Sequence, residues 1–244
     1  MQIRLINPNT TTSMTALIGA AARAVAAPGT RIEAVQPSFG ARSIEDHHDE
    51  VWAAAGVLEQ VRAGEAAGAD AHVIACFGDP GLHAARELAR GPVIGIAEAA
   101  FHAAALLATG FSVVTTLKRT CVIAEHLVLQ YGFERRCRGI HGTDIAVLEL
   151  EDPASNAYVR ILDCAEQALK HDRSGAIVLG CAGMADLCAS LQQRLGVPVI
   201  DGVAVAVKLA ESLVALGLGT SKHGDYAAPL AKAYAGLAAP FSPG

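Results

Sequence analysis

Short apolar runs alternate along the chain with segments whose apolar residues recur at helical spacing. The runs are apolar throughout rather than alternately polar, which is typical of strands covered on both faces. Strands alternating with helices favour an α/β fold built from parallel βαβ units. The predicted strands are residues 1–6, 31–35, 71–75, 92–96, 111–116, 176–180 and 197–200. The predicted helices are residues 11–26, 49–67, 82–89, 97–108, 117–131, 156–170, a segment ending near 194, and 203–216. The tail after Gly217 is predicted to be irregular.

Part of this pattern occurs twice. Residues 68–76 resemble residues 173–181, and the match aligns Cys76 with Cys181. The order strand, cysteine, loop, helix, strand, helix then repeats in both halves. Such a repeat predicts two similar lobes with parallel sheets, related by a pseudo-two-fold axis. We expect residues 1–96 and 203–244 to form the first lobe and residues 97–202 the second.

The repeat places both cysteines at the carboxyl end of a predicted strand. Ligands of open α/β sheets bind outside the carboxyl ends of the strands. Two such lobes facing each other would present Cys76 and Cys181 from opposite sides of one cleft. We therefore predict an active site in the cleft between the lobes.

Composition excludes several classes of function. The chain has 244 residues, 52% hydrophobic and 18% charged, which is enough for a large core. No uninterrupted apolar run is long enough to span a membrane. The net charge of −5 comes without a basic cluster, so we expect no nucleic-acid partner. Because the first residues lack a basic segment followed by an apolar one, we expect a cytoplasmic protein.

The six cysteines include no Cys-x-x-Cys pair, which disfavours a zinc site or a dithiol redox motif. The acidic and histidine-rich stretch 45–50 is interpreted as a solvated loop and first helical turn, so we predict no metal site. The glycines after Cys76 lack the dinucleotide-binding spacing. The four remaining cysteines are expected to be small buried hydrophobes: Cys121, Cys137, Cys164 and Cys188.

Two opposed thiols suit inversion of a carbon centre, which needs a base on one face and an acid on the other. A free thiol has a pKa of roughly 8.5, and a helix start can lower it. Phe77 and Gly78, like Ala182 and Gly183, could direct backbone N–H groups into the cleft. Glycine would permit close approach or unusual dihedral angles there. The alternative is that duplication left two buried cysteines without a role.

Six stretches of the sequence match motifs of a known family: residues 6–10 (Ile-Asn-Pro-Asn-Thr), 43–45, 75–81, 92–96, 180–184 and 220–222. At these residues the sequence resembles the hydantoin racemase family of the Asp/Glu racemase superfamily, which also contains allantoin racemases. The resemblance covers nearly the whole chain. It implies two Rossmann-like lobes, no cofactor, Cys76 and Cys181 as opposed acid and base, and a homo-oligomer.

The residues after the first cysteine bear on the substrate. Glutamate and aspartate racemases typically have Asn-Thr at this place, where Phe77 and Gly78 stand here. The difference favours a planar cyclic amide over an acidic amino acid. We expect a 5-monosubstituted hydantoin, whose C5 proton is acidified by the neighbouring carbonyl. Allantoin is the alternative substrate, and an amino-acid racemase or a non-catalytic small-molecule binding protein stays open.

Further substrate-binding candidates lie at predicted strand ends or beside the cysteines. Each also has a structural interpretation: Asn9 and Ser43 as helix caps, Thr115 and Thr116 as β-branched strand residues, and Phe77 as core. The complete set of substrate-binding candidates is Asn9, Ser43, Phe77, Gly78, Thr115, Thr116, Ala182 and Gly183.

Overall fold

Eight strands form two parallel four-stranded sheets within residues 1–152 and 154–243, the part of the chain that the computed structural model describes. The first sheet has the order β2-β1-β3-β4 and the second the order β6-β5-β7-β8. The repeated order confirms the predicted α/β fold of two similar lobes. The strands are β1 (Gln2–Ile6), β2 (Arg31–Val35), β3 (Ala71–Ile74), β4 (Val93–Gly95), β5 (Phe111–Thr115), β6 (Cys137–Gly142), β7 (Ala176–Leu179) and β8 (Val199–Ile200).

Helices follow the strands and cover both faces of each sheet. They are α1 (Thr12–Val25), α2 (His47–Ala66), α3 (Leu82–Leu88), α4 (Ile96–Leu107), α5 (Cys121–Gln130), α6 (Ala157–Asp172), α7 (Cys188–Leu195) and α8 (Gly202–Ala215). Short 3₁₀ helices span Lys118–Thr120, Val147–Glu151, Ala182–Leu187, Gly224–Tyr226 and Gly236–Phe241. Among the described residues, no helix is both long and apolar enough to cross a membrane.

Three local predictions need correction. Strand β6 was not predicted, because it is a partly exposed edge strand without an apolar run. The predicted helix 117–131 begins as a 3₁₀ turn and becomes α-helical only at Cys121. A 3₁₀ helix also separates Cys181 from α7. The irregular tail is anchored to the first lobe, since Thr220 donates through N–H and hydroxyl to the carbonyls of Arg90 and Gly91.

The two lobes exchange one helix each. Helix α4 leaves the first sheet and packs on β7 of the second, whereas α8 leaves the second sheet and packs on β3 and β4 of the first. These contacts suit the proposed division into residues 1–96 with 203–244 and residues 97–202, which stays a prediction. Helices α4 and α8 also pack on each other, so they join the lobes.

Alternate strand residues face two different cores. Ile3 and Leu5 of β1 face the core that both lobes share, while Ile6 faces α2 and α3. In β7, Val178 faces the shared core and Leu179 faces a separate core of the second lobe. Burial on both faces explains why these strands appear in the sequence as uninterrupted apolar runs.

Candidate active site

The two cysteines predicted as a pair lie at equivalent positions. Cys76 comes shortly after the end of β3, and Cys181 comes shortly after the end of β7. In both cases the residue before the cysteine donates its backbone N–H to the neighbouring inner strand, β1 or β5. Those bonds run from Ala75 to Ile6 and from Gly180 to Val114, both at 2.8 Å. Cys76 and Cys181 line the same cavity, and a charge on Cys181 raises the pKa of Cys76. The cavity therefore receives one thiol from each lobe.

Both thiols are hard to ionise in this cavity. Burial raises the pKa of Cys76 to about 12 and that of Cys181 to about 11. The backbone N–H groups of Gly78 and Gly183 donate to the two sulfurs and oppose this rise. The expectation that a helix start lowers these pKa values was wrong in its net direction. Desolvation of the thiolate outweighs the N–H donors.

The floor of the cavity carries buried polar side chains from the end of β1. The Asn7 amide Nδ2 donates to Asn9 Oδ1 and Thr15 Oγ1, both at 2.9 Å, which holds Asn9 in place. The Asn9 amide Nδ2 donates only to the Met14 sulfur, at 3.5 Å, among described residues. Because a thioether is a weak acceptor, the Asn9 amide keeps a donor for a ligand.

The end of β5 contributes two threonines to the same floor. Thr115 Oγ1 donates to the Gly180 carbonyl at 2.8 Å, so this hydroxyl fixes the residue before Cys181. The Thr116 hydroxyl is not engaged in a side-chain hydrogen bond with any described residue, and Thr116 is 3% exposed. Thr116 is therefore the better placed of the two to bind a ligand.

The mouth of the cavity is formed by partly exposed residues from both lobes: Ile44, Glu50, Thr120 and Ile123. Three contacts join the start of α2 and the two residues before it to the second lobe. Glu45 Oε1 accepts from Val147 N at 3.2 Å, Asp46 pairs with Arg119 at 3.4 Å, and His47 stacks on His126. This segment therefore covers the cleft from the first lobe.

The structure brings together most of the predicted site residues. Gly183 is not among the lining residues, but its N–H donates to Cys181. Ser43 is not among the described lining residues either, although its neighbour Ile44 is. The predicted residues that line the cavity are Cys76, Cys181, Asn9, Phe77, Gly78, Thr115, Thr116 and Ala182. Their roles toward a ligand stay predictions.

Several lining residues were not predicted. Asn7 belongs to the Asn-Pro-Asn-Thr motif, which could have indicated it. Glu50 lies 26 positions before Cys76 in a stretch interpreted as solvated, and no sequence signal marks it. The lining residues that were not predicted are Asn7, Met14, Ile44, Glu50, Ala75, Thr120, Ile123, Ala124, Val147 and Gly180.

The glycines beside the cysteines allow close approach, as predicted. A Cβ on Gly78 would lie 2.7 Å from Glu50 Oε1, and one on Gly183 would lie 3.1 Å from Leu150 Cδ1. The loop after Cys76 also contains unusual dihedral angles, one of them at a glycine. Asp79 has φ of 43° and Gly81 has φ of 71°.

Asp46, His48 and Asp49 bring three potential metal ligands within 4.8 Å of one another. Their carboxylates already organise the start of α2. Asp46 accepts from Asp49 N at 3.0 Å, and Asp49 accepts from Glu45 N at 3.0 Å. The group is accounted for by helix capping, and the absence of a metal site stays a prediction.

Two α/β lobes that each place one thiol in a shared cavity define the class of the protein as a two-lobed α/β fold with its candidate site between the lobes. The profile of the Asp/Glu/Hydantoin racemase family matches residues 3–210, and the chain belongs to this family.

Three individual relatives show which known proteins the chain is similar to. The chain is 51% identical to a hydantoin racemase of Rhizobium meliloti, over 97% of this chain and 98% of the relative. The solved structure of an allantoin racemase from Klebsiella pneumoniae is 61% identical, with a TM-score of 0.97 over 100% of this chain and 99% of the other. An allantoin racemase from Pseudomonas fluorescens is 44% identical, with a TM-score of 0.93 over 97% of this chain and 100% of the other.

Proposed function

We propose that this protein is an isomerase that racemises 5-monosubstituted hydantoins at C5. Allantoin, which is a hydantoin with a ureido group on C5, falls within this class. The observation that carries the proposal is the pair of thiols, Cys76 and Cys181, contributed to one cavity by equivalent strand ends of two lobes. Similarity to hydantoin and allantoin racemases supports the same substrate class.

The reaction needs two proton transfers on opposite faces of C5. One thiolate removes the C5 proton and becomes a thiol, and the electron pair moves onto the C4 carbonyl oxygen. The opposite thiol then gives its proton to the other face and becomes the thiolate. The roles reverse for the other enantiomer. Because the neighbouring carbonyl acidifies C5–H, two thiols suffice without a cofactor or metal.

The transient oxyanion requires hydrogen-bond donors on the floor of the cavity. The Asn9 amide has only a weak partner, and the Thr116 hydroxyl has none among the described side chains. We assign these two groups to the C4 oxygen. Fixed donors in a desolvated site stabilise developing charge strongly, since they need no reorganisation.

The charges of the cavity favour a neutral ring over a free amino acid. The described lining residues include no Lys, Arg or His, but they do include Glu50. The carboxylate of an amino acid would find no cationic partner here and one like charge. This supports a cyclic amide over aspartate or glutamate.

The proposal is tested by C5 exchange in deuterated water. Enantiopure allantoin and 5-benzylhydantoin are incubated with enzyme, and optical rotation and deuterium at C5 are followed together. Cys76→Ala and Cys181→Ala should each lower racemisation at least about 100-fold, since general acid–base groups contribute roughly 10²–10⁴ in rate. Cys121→Ala, which changes a thiol outside the cavity, is the matched control and should keep wild-type activity.

Other results would contradict the proposal. Wild-type protein that binds a hydantoin without exchanging C5 would be the non-catalytic binding protein instead. Substantial racemisation by either cavity variant would exclude the two-thiol mechanism. A cytoplasmic location, a homo-oligomeric state and the lack of nucleic-acid or membrane partners stay predictions.

A further inference from the structure

The only ionisable lining residue besides the two thiols, among those described, is Glu50. Its side chain is 20% exposed, whereas Asn9 and Thr116 on the floor are almost fully buried. Glu50 therefore lies toward the mouth of the cavity.

The Glu50 carboxylate is held in one orientation. His47 Nδ1 lies 2.9 Å from Glu50 Oε2, and the His47 ring stacks on His126 of the second lobe. The other oxygen, Oε1, lies 2.7 Å from where a Cβ on Gly78 would stand, so it lies close to the backbone after Cys76. Oε2 is thus engaged by His47, and Oε1 lies at the cavity wall next to Cys76.

The position and charge of Glu50 Oε1 together restrict the substrate groups that it can bind. C5 must lie between the two thiols at the strand ends, and the C4 carbonyl must face the donors on the floor. The C5 substituent then extends toward the mouth. A carboxylate accepts hydrogen bonds and donates none, so it favours a substituent with N–H groups and disfavours a hydrocarbon that would desolvate it.

We infer that Glu50 is a specificity-determining residue that accepts hydrogen bonds from N–H groups of the C5 substituent. It would select a ureido group, as in allantoin, over aryl or alkyl substituents. The inference rests on the proposed racemisation of hydantoins and adds to it the chemistry of the preferred substituent.

The test compares two substrates that share the ring and differ in the substituent. C5 exchange is measured with allantoin and with 5-benzylhydantoin for wild type, Glu50→Gln and Glu50→Leu. For allantoin, KM should rise roughly tenfold in Glu50→Gln and up to about 100-fold in Glu50→Leu, because a charge-assisted hydrogen bond is weakened and then lost. The kcat for allantoin should change less than about threefold. For 5-benzylhydantoin, kcat/KM should stay within about threefold in Glu50→Gln and rise in Glu50→Leu.

Glu45→Gln is the matched control. Glu45 also raises the pKa of a catalytic thiol, Cys181, but it is not among the described lining residues. Any effect of Glu45→Gln should be the same for both substrates. Thermal unfolding of each variant checks that it folds.

The outcomes separate the inference from the proposed function. If the Glu50 variants lose the same kcat/KM for both substrates, the inference is wrong, and Glu50 acts on the shared ring or on Cys76 instead. Unchanged kinetics with allantoin would also overturn it. In either case wild-type exchange still upholds racemisation. A wild-type protein that exchanges neither substrate would instead refute the proposed function, and the inference with it.

Discussion

Cys76 and Cys181 occupy equivalent positions but have different electrostatic surroundings. Asp79 and Glu50 raise the pKa of Cys76 in addition to burial and Cys181, whereas only Glu45 adds to burial at Cys181. A thiolate at Cys76 would therefore lie in the more negative surroundings, in keeping with a pKa of about 12 against about 11 for Cys181. Because a charge on Cys181 raises the pKa of Cys76, the two thiols titrate as one coupled system that carries at most one thiolate near neutral pH.

These pKa values predict the pH dependence of catalysis. At neutral pH both cysteines are almost entirely thiols, and the active form needs one thiolate. The kcat/KM for C5 exchange should therefore rise about tenfold per pH unit between roughly pH 6.5 and 8.5, since the singly ionised fraction grows in that proportion. Exchange rates corrected for the uncatalysed reaction measure this slope. A flat or falling profile in this interval would show that a thiolate is already formed.

The corresponding helices α4 and α8 begin in different ways. At α8, the Asp201 side chain accepts from Val203 N and Ala204 N at 2.9 and 3.1 Å. At α4 the equivalent cap is Gly95, which has no side chain to accept. Asp79, from the loop after Cys76, accepts instead from Ala97 N and Glu98 N at 3.1 and 2.9 Å. A Cβ on Gly95 would lie 2.3 Å from Asp79 Cγ, so the glycine makes room for the borrowed cap.

Asp79 therefore links the first cysteine loop to the helix that crosses into the second lobe. Tyr131 also donates to it, at 2.9 Å, while burial raises the pKa of Asp79 to about 7. Asp79→Ala should lower the free energy of unfolding by about 2 kcal/mol, because it removes the cap and places alanine at a positive φ. Asp79→Asn, which tolerates that φ and keeps one acceptor, should lose about 1 kcal/mol.

Urea unfolding near neutral pH measures both Asp79 variants. Asp201→Asn at α8 serves as a comparison, since that side chain caps the equivalent helix in the ordinary way. An Asp79→Ala variant as stable as wild type would show that α4 does not need this cap.

Strand β6 shows what the periodicity of one element can miss. Residues Cys137–Gly142 are partly exposed, contain two glycines and pair with β5 alone. An edge strand need not be apolar on both faces, so it lacks the uninterrupted run that marks β3 or β7. Its existence follows from pairing with β5, which is a tertiary property.

At the scale of the whole molecule, the lobes meet where α4 and α8 begin. A Cβ on Gly202, the first residue of α8, would lie 2.5 Å from the Ile96 carbonyl oxygen at the start of α4. The backbones of the two exchanged helices thus approach as closely as a glycine allows. We expect the relative position of the lobes, and with it the placement of both thiols in the cavity, to depend on this crossing.

Gly202→Ala tests that dependence. Without crowding, alanine would stabilise a helix by up to about 1 kcal/mol relative to glycine. Here we expect a loss of about 1–3 kcal/mol, because overpacking must displace backbone. The free energy of unfolding, measured with a chemical denaturant, and the rate of C5 exchange should both decline. The exchange rate should fall because the lobes shift. A variant that is more stable than wild type would show that the alanine Cβ fits between α4 and α8 without displacing backbone.

The sequence by itself determined the alternation of strands and helices, the duplicated unit and the equivalence of Cys76 and Cys181. Each of these follows from local periodicity or self-similarity, which the chain carries in its linear order. The Asn-Pro-Asn-Thr motif further indicated Asn9, and Phe77 and Gly78 after the first cysteine indicated a cyclic-amide substrate.

Only the tertiary structure decided the surroundings of the thiols. Their pKa values rise because folding buries them, whereas the local helix starts predicted a fall. Glu50 reaches the cavity because the start of α2 contacts the second lobe across the cleft. Asp79 caps α4 because the loop after Cys76 meets the start of that helix. Burial, the proximity of charges and the capping of a helix by a distant side chain all depend on contacts between residues far apart in sequence. Local sequence patterns therefore do not predict them.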